Sequence, residues 1–188
     1  MAEIVLTIII ITVAAILSRS FKKYTLREMV LFALLIAISV SGRVAFASIP
    51  SVQLSSFIII ITGIYFGPAA GFVVGIGTAV LSNCFLGMGP YVIWQMFCWG
   101  MMGITASYFK NLKKYALVSF GFAWGFIFGW IMDLWAIFAG IVPNENGAIL
   151  TGFVLSFYFD LAHAVTNAVL LLILPKEQIR ILFKNLLK

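Results

Sequence analysis

Five polar residues stand apart in this sequence because they interrupt long apolar runs and carry groups that can bind a small molecule. They are Arg43, Asn83, Gln95, Asp133 and Asp160. Together they supply a cation, two carboxylates and two amides, a set suited to orienting a ligand through charge and hydrogen bonds. We expect them to converge on one half of a helical bundle and to form a polar cavity there.

The most distinctive segment is Asn83–Gly103, with the sequence NCFLGMGPYVIWQMFCWGMMG. Its glycines and proline end one helix and start another, whose aromatic and amide side chains recur at helical spacing and share a face. Such a face is typical of a ligand pocket, although an aromatic belt at a membrane interface with a packed core is an alternative. The residues predicted to wall the pocket are Tyr91, Trp94, Gln95 and Trp130, with Asn83 and the 87–90 loop above them.

A second face carries Asp160, His163 and Asn167, which lie at positions i, i+3 and i+7 of one helix. An alternative function is therefore an intramembrane enzyme in which Asp160 and His163 serve Ser156 or Ser82. The sequence contains no Gly-x-Ser-x-Gly motif, and its single histidine has no cluster of further metal ligands. We therefore predict no catalytic residues and no metal site.

Asp133 and Asp160 are predicted to lie within membrane-spanning helices, where they need partners. Asp133 continues a stripe of glycines at every fourth position, so we expect it to face the bundle. A charge at the centre of a membrane helix costs about 2.5–3.5 kcal/mol and persists only with partners or a function. We predict that Arg43 pairs with Asp133 or Asp160; without such a pair, contact with a ligand is the better role for Arg43.

Composition assigns the chain to a class. Of 188 residues, 63% are hydrophobic and only 10% are charged, which is too little charge for the surface of a soluble domain. The apolar runs do not alternate, so a membrane barrel is excluded. The predicted fold is an all-α, polytopic membrane protein in a single domain.

The order of apolar runs and breakers predicts a six-helix transmembrane bundle over residues 26–174. An extra N-terminal apolar helix lies within residues 1–18, and a basic tail occupies residues 175–188. A run of about 20 apolar residues is needed to span a bilayer, and Ile4–Leu17 falls short of it. The predicted helices are Ile4–Leu17, Leu26–Ala47, Leu54–Phe66, Ala69–Leu86, Tyr91–Phe109, Tyr115–Ile141 and Ile149–Leu174, the last ending at Pro175.

The basic residues predict an orientation. With the Arg19–Arg27 linker in the cytoplasm, alternating spans place the Lys110–Lys114 loop and the Lys176–Lys188 tail on the same side. Of 12 lysines and arginines, all but Arg43 then lie inside, as the positive-inside rule requires. The net charge of +6 is explained by topology and by contact with anionic membrane lipids, without nucleic acid.

Small residues at every fourth position predict where helices approach closely. The first such stripe contains Ala33, Ala37, Ser41 and Ala45, and the second contains Gly121, Gly125 and Gly129. We expect the glycines to pack against another helix of this chain. Ala33 and Ala37 either do the same or face a partner protein.

The layout resembles the substrate-binding S components of energy-coupling-factor (ECF) vitamin transporters over roughly residues 27–174. Ala33-x-x-x-Ala37 matches the Ala-x-x-x-Ala motif in the first helix of that family. The runs ITGIYFGPAAGFVVG and GPYVIWQMFCWGMMG are similar to stretches of its cobalamin-specific, CbrT-like branch. The segment Ile4–Leu17 departs from the six-helix pattern.

The resemblance implies a bacterial cell-membrane subunit that captures a vitamin outside, with cobalamin as the best candidate. It also implies partners, namely the coupling transmembrane subunit (EcfT) and two ATPase subunits (EcfA and EcfA'), with Ala33 and Ala37 at the contact. The chain has no G-x-x-x-x-G-K-[ST] loop to bind ATP itself, and we expect no cofactor. Alternatives are an S component for a different vitamin or a nucleobase-like substrate, or an ion-coupled transporter or channel subunit, although no convincing inverted repeat is found.

Overall fold

A computed structural model describes residues 1–143, 146–174 and 176–187, and all of its regular elements are helices. Residues 144, 145, 175 and 188 lie outside the described residues, and so does the predicted end of the last span at Pro175. The helices are α1 (Ala2–Phe21), α2 (Leu26–Ala45), α3 (Ser55–Phe66), α4 (Pro68–Leu86), α5 (Tyr91–Ala106), α6 (Lys114–Phe138), α7 (Asn146–Ile173) and α8 (Lys176–Leu186).

The predicted all-α bundle is confirmed, with α2 to α7 forming its six helices. Five helices (α1, α2, α4, α6 and α7) are long and apolar enough to cross a membrane. The other two helices of the bundle, α3 and α5, have only 12 and 16 residues. The central helix α3 contacts α2, α4, α5, α6, α7 and α8, which explains why residues 55–64 are all buried.

Local sequence signals set the helix boundaries. Thr25 and Glu28 form a reciprocal capping box at the start of α2, which satisfies backbone N–H groups that a helix start leaves free. Gly67, with φ of 89°, allows the sharp turn between α3 and α4, and Pro68 occupies the first turn of α4, where its missing N–H costs nothing.

Contacts between distant residues distinguish the two ends of the bundle. At one end, which we call the basic end, the Tyr24 hydroxyl donates to the Phe66 carbonyl over 2.6 Å and the Tyr65 and Phe183 rings meet edge to face. At the other, which we call the cavity end, Arg43 of α2 meets Ser82 of α4. These contacts show that α2, α3 and α4 alternate in direction, as the sequence predicts.

Glycines bring two pairs of helices into close contact. The predicted packing of the α6 stripe is confirmed, because a Cβ added to Gly125 would lie 2.4 Å from the backbone of Ala164 on α7. The contact between α4 and α5 is equally close and was not predicted. A Cβ on Gly103 would lie 2.3 Å from the backbone of Gly71, and one on Gly75 would lie 2.5 Å from the Trp99 carbonyl oxygen.

Two segments outside the six-helix bundle are helical. The N-terminal helix α1 is longer than the predicted Ile4–Leu17 and packs on α4 and α5, with only Ile10 buried. The basic tail contains α8, whose Ile179 and Phe183 side chains are buried against the bundle. Apolar residues at i and i+4 are typical of an amphipathic helix, so the signal for α8 is present in the sequence.

Candidate functional site

A cavity of about 410 Å³ opens at the cavity end of the bundle. Its polar lining includes Arg43 of α2 and Gln95 of α5, and its apolar lining includes Phe128 of α6. The connection between α2 and α3 supplies much of the remaining wall. The residues from that connection and from the end of α4 are Phe46, Ala47, Ile49, Ser51, Val52, Gln53 and Leu86.

The guanidinium of Arg43 is held by three neutral groups. Its Nη1 donates to Ser82 Oγ over 2.5 Å, and its Nη2 donates to Gln95 Oε1 over 3.3 Å. The same group lies 4.9 Å from the centre of the Trp99 ring, a distance at which an aromatic face attracts a cation. These contacts fix the position of a positive charge at the cavity wall.

Gln95 connects Arg43 to α4. Its side-chain oxygen accepts a second hydrogen bond from Asn83 Nδ2, at 2.7 Å, and the same Asn83 nitrogen also donates to the Ala79 carbonyl. Arg43, Asn83 and Gln95, three of the residues predicted for the site, therefore form one hydrogen-bonded group. Asn83 is 1% exposed and supports the group from behind the cavity wall.

A second hydrogen-bonded group lies next to the cavity and includes His163 of α7. Its Nε2 is 2.6 Å from Ser56 Oγ and 3.3 Å from the Nε2 of Gln53, which lines the cavity. Trp99 Nε1 donates to the same Ser56 oxygen over 3.1 Å. Gln53 and Ser56 are not among the residues predicted for the site, although a glutamine in a short connection between apolar helices is a detectable signal in the sequence.

Both acids, Asp133 of α6 and Asp160 of α7, lie near the hydroxyl of Ser156 at the α6–α7 contact. Ser156 Oγ lies 2.8 Å from a carboxylate oxygen of Asp133 and 3.4 Å from one of Asp160. Asp133 thus faces α7, as its place after the glycine stripe predicts. Asp160 also lies beside Gly129, where an added Cβ would be only 1.8 Å from its Oδ1.

The prediction that Arg43 pairs with Asp133 or Asp160 is wrong for this structure. Within the described ranges, no ion pair joins Arg43 to either acid. Neutral hydrogen-bond acceptors and an aromatic face stabilise the guanidinium instead.

The aromatic residues divide into two groups. Tyr91 contacts the Trp135 ring edge to face at 5.5 Å, and Trp94 stacks on Phe138 at 5.9 Å. This aromatic contact between α5 and α6 is adjacent to Gln95 but does not line the 410 Å³ cavity. Trp130 is 52% exposed and contacts Phe126, so the structure does not bring it to the predicted wall.

The arrangement required for the alternative enzyme does not form among the described residues. His163 is hydrogen-bonded to Ser56 and Gln53, whereas Ser156 contacts the two acids and Ser82 contacts Arg43. A serine nucleophile needs a base within hydrogen-bond distance and an acid that orients the base. Neither proposed serine has the histidine as its neighbour.

The alanine stripe of α2 lies on the outer surface of the bundle. Ala33 and Ala37 are both exposed, and so are Ser41 and Ala45. The opposite face of α2 carries the buried residues Leu31, Phe32 and Leu35. The alanines therefore take no part in packing α2 against its neighbours.

Comparison with protein-family models matches residues 27–184 to the substrate-specific component of ECF transporters. The chain belongs to this family. Comparisons with curated proteins and with solved structures give no significant match.

Membership settles the general role of the chain. An ECF substrate-specific component is the substrate-binding subunit of a transporter that works with the ECF module, made of EcfT and ATPases, and is not an enzyme. The five span-length apolar helices agree with a multi-pass membrane protein. The matched range starts within α2, so α1 lies outside the part of the chain that defines the family.

Proposed function

We propose that this ECF substrate-specific component binds a vitamin in the 410 Å³ cavity and captures it from outside the cell. The observation that carries the proposal is the position of the cavity at the end opposite the basic loops. If the basic end faces the cytoplasm, as the positive-inside rule favours, the cavity opens outward. Arg43, Gln95 and Phe128 are then among the residues that contact the substrate.

The exposed stripe on α2 supports a second part of the proposal. Ala33 and Ala37 lie within about three turns of the basic linker and are free of contacts with the cavity. In lipid, small residues let another helix approach closely. We propose that the coupling subunit EcfT packs here and that the ATPases EcfA and EcfA' supply the energy.

Two observations bear on the identity of the vitamin: one favours cobalamin, and the other favours a smaller molecule. The similarity of two sequence runs to the CbrT-like branch favours cobalamin. The cavity, at about 410 Å³, is near the lower end of the roughly 300–1,000 Å³ typical for drug-sized ligands. A corrinoid is larger, so cobalamin would fit only if the 46–54 connection moved outward.

Thermal unfolding of the detergent-purified protein with a panel of vitamins, cobalamin included, tests this function. A ligand at 100 times its dissociation constant stabilises the folded state by about 2.7 kcal/mol, which raises the melting temperature measurably. We expect one vitamin to stabilise the protein, and mutation of Gln95 to leucine to remove that stabilisation. If no vitamin changes the melting temperature, the proposed substrate class is wrong.

A further inference from the structure

We infer that the substrate carries an anionic group, a carboxylate or a phosphate, which binds to Arg43 with the Gln95 amide beside it. This inference rests on the proposed function, because it assigns a chemical class to the ligand of the same cavity. It extends that function by dividing the possible substrates into anions and molecules without a negative charge.

Arg43 has no negatively charged partner among the described residues. The guanidinium lies near the cavity end of α2 and is partly buried in the bundle, where an uncompensated charge is costly. Its contacts are a hydroxyl, an amide oxygen and an aromatic ring, and no described carboxylate pairs with it. None of the described residues that line the cavity is acidic. A ligand anion would supply the charge that the protein does not.

Arg43 and Gln95 both have N–H groups that remain available to hydrogen-bond a ligand. A guanidinium has five N–H groups, and within the described part of the chain only two hydrogen bonds use them. The Gln95 oxygen is occupied by Arg43 and Asn83, so its amide NH₂ is the group that remains for a ligand. Both side chains line the cavity. A planar guanidinium can bind a carboxylate or a phosphate through two parallel hydrogen bonds.

The position of Arg43 favours a substrate over a lipid headgroup as the source of the anion. Arg43 is held between α2, α4 and α5 by Ser82, Gln95 and Trp99, so it faces the interior of the bundle. The exposed face of α2, which carries Ala33 and Ala37, is a different one. An anion that reaches Arg43 therefore comes through the cavity and not from the surrounding bilayer.

Matched ligand pairs test the inference. We would compare nicotinate with nicotinamide, biotin with biotinamide, pantothenate with pantothenol, and riboflavin 5'-phosphate with riboflavin, by thermal unfolding and by titration of the purified protein. In the pair that binds, we expect the anion to bind at least about 30-fold more tightly than its uncharged counterpart, as removal of one partner of a buried charge pair commonly costs that factor or more. The first three pairs report on carboxylates and the fourth on phosphates.

Two variants of Arg43 connect the preference to this residue. Arg43→Gln should remove the difference between the anion and its uncharged counterpart. Arg43→Lys keeps the positive charge but lacks the planar guanidinium. This variant should bind the anion more weakly than the wild-type protein does, and it should still prefer the anion to its uncharged counterpart. If Arg43→Gln does not fold, the weaker binding of the anion by Arg43→Lys still tests the role of Arg43.

Glu145 needs its own control because it lies outside the described residues. Glu145→Gln should leave the preference for the anion unchanged. If Arg43→Gln destabilises the protein and Glu145→Gln restores its stability, Arg43 has a protein carboxylate as its partner and the inference is wrong.

The outcomes distinguish this inference from the proposed function. Equal binding of both members of a pair, or binding of an uncharged vitamin that Arg43→Gln does not weaken, overturns the inference and leaves the proposed function standing. Failure of every ligand, cobalamin included, to bind the wild-type protein overturns the proposed function and the inference together.

Discussion

Substitution of Gly103 by alanine should separate α4 from α5 and destabilise the protein. The added Cβ would lie 2.3 Å from the carbonyl carbon and oxygen of Gly71. Ordinary contacts of a Cβ begin at 3.4 Å, so the two backbones must move apart by about 1.1 Å. The obstructing atoms belong to the backbone, which cannot rotate away as the end of a side chain can.

The expected loss is about 2 kcal/mol in the free energy of unfolding. Overpacking a well-packed contact typically costs about 1–3 kcal/mol, and contact with backbone places Gly103→Ala at the upper end. Alanine returns about 1 kcal/mol through its better helix propensity. The same displacement should weaken ligand binding, because α4 and α5 carry Asn83 and Gln95, which are joined by a 2.7 Å hydrogen bond.

Gly77→Ala is the matched control for Gly103→Ala. It lies on the same helix as Gly71, but its added Cβ would meet only the flexible end of Ile36, at 2.7 Å. Reversible unfolding in mixed detergent, followed by circular dichroism, measures both variants. Wild-type stability of Gly103→Ala, or an equal loss in Gly77→Ala, would refute the packing argument.

Three further predictions concern the α6–α7 contact, the acids and the site. Gly125→Ala should destabilise the protein by about 1–3 kcal/mol, because its Cβ would lie 2.4 Å from the Ala164 backbone, whereas Gly152→Ala, whose nearest neighbour is 3.7 Å away, should be neutral in the same unfolding assay. Asp133→Asn should raise the melting temperature, because it removes one of two like charges that share Ser156; a lower melting temperature would show that both charges are needed. Gln95→Leu should weaken ligand binding in titrations more than Trp94→Ala, since only Gln95 lines the cavity, and the reverse order would favour the aromatic wall.

The sequence predicts the helices well because each apolar run ends at a strong breaker. Gly67 and Pro68 mark the start of α4, and a segment that contains Lys110 and Lys113 separates α5 from α6. The face of α6 is equally predictable, because Gly121, Gly125 and Gly129 recur at the helical period. The partner of Gly103 is not predictable in this way, since it depends on which helices become neighbours.

The site is harder to predict because neutral partners leave a weaker signal than charges. The cost of an unpaired charge in a membrane helix predicts an acidic partner for Arg43, yet Ser82, Gln95 and Trp99 stabilise it. The position of Trp130, by contrast, is predictable from the spacing of residues on α6. It follows Gly129 by one residue, or about 100° around the helix, and so points away from the face that packs on α7.

The most direct test of the account is ATP-driven vitamin uptake by the Ala33→Trp, Ala37→Trp double variant, assembled with EcfT and the ATPases. The control is Val165→Trp, Val169→Trp on α7, which has the same spacing and replaces side chains that are 44% and 43% exposed. We expect the alanine variant to lose uptake and association with EcfT while the isolated protein keeps its ligand affinity, and the valine variant to retain all three. Intact uptake in the alanine variant would contradict the account, and loss of its ligand binding would show that the stripe serves internal packing.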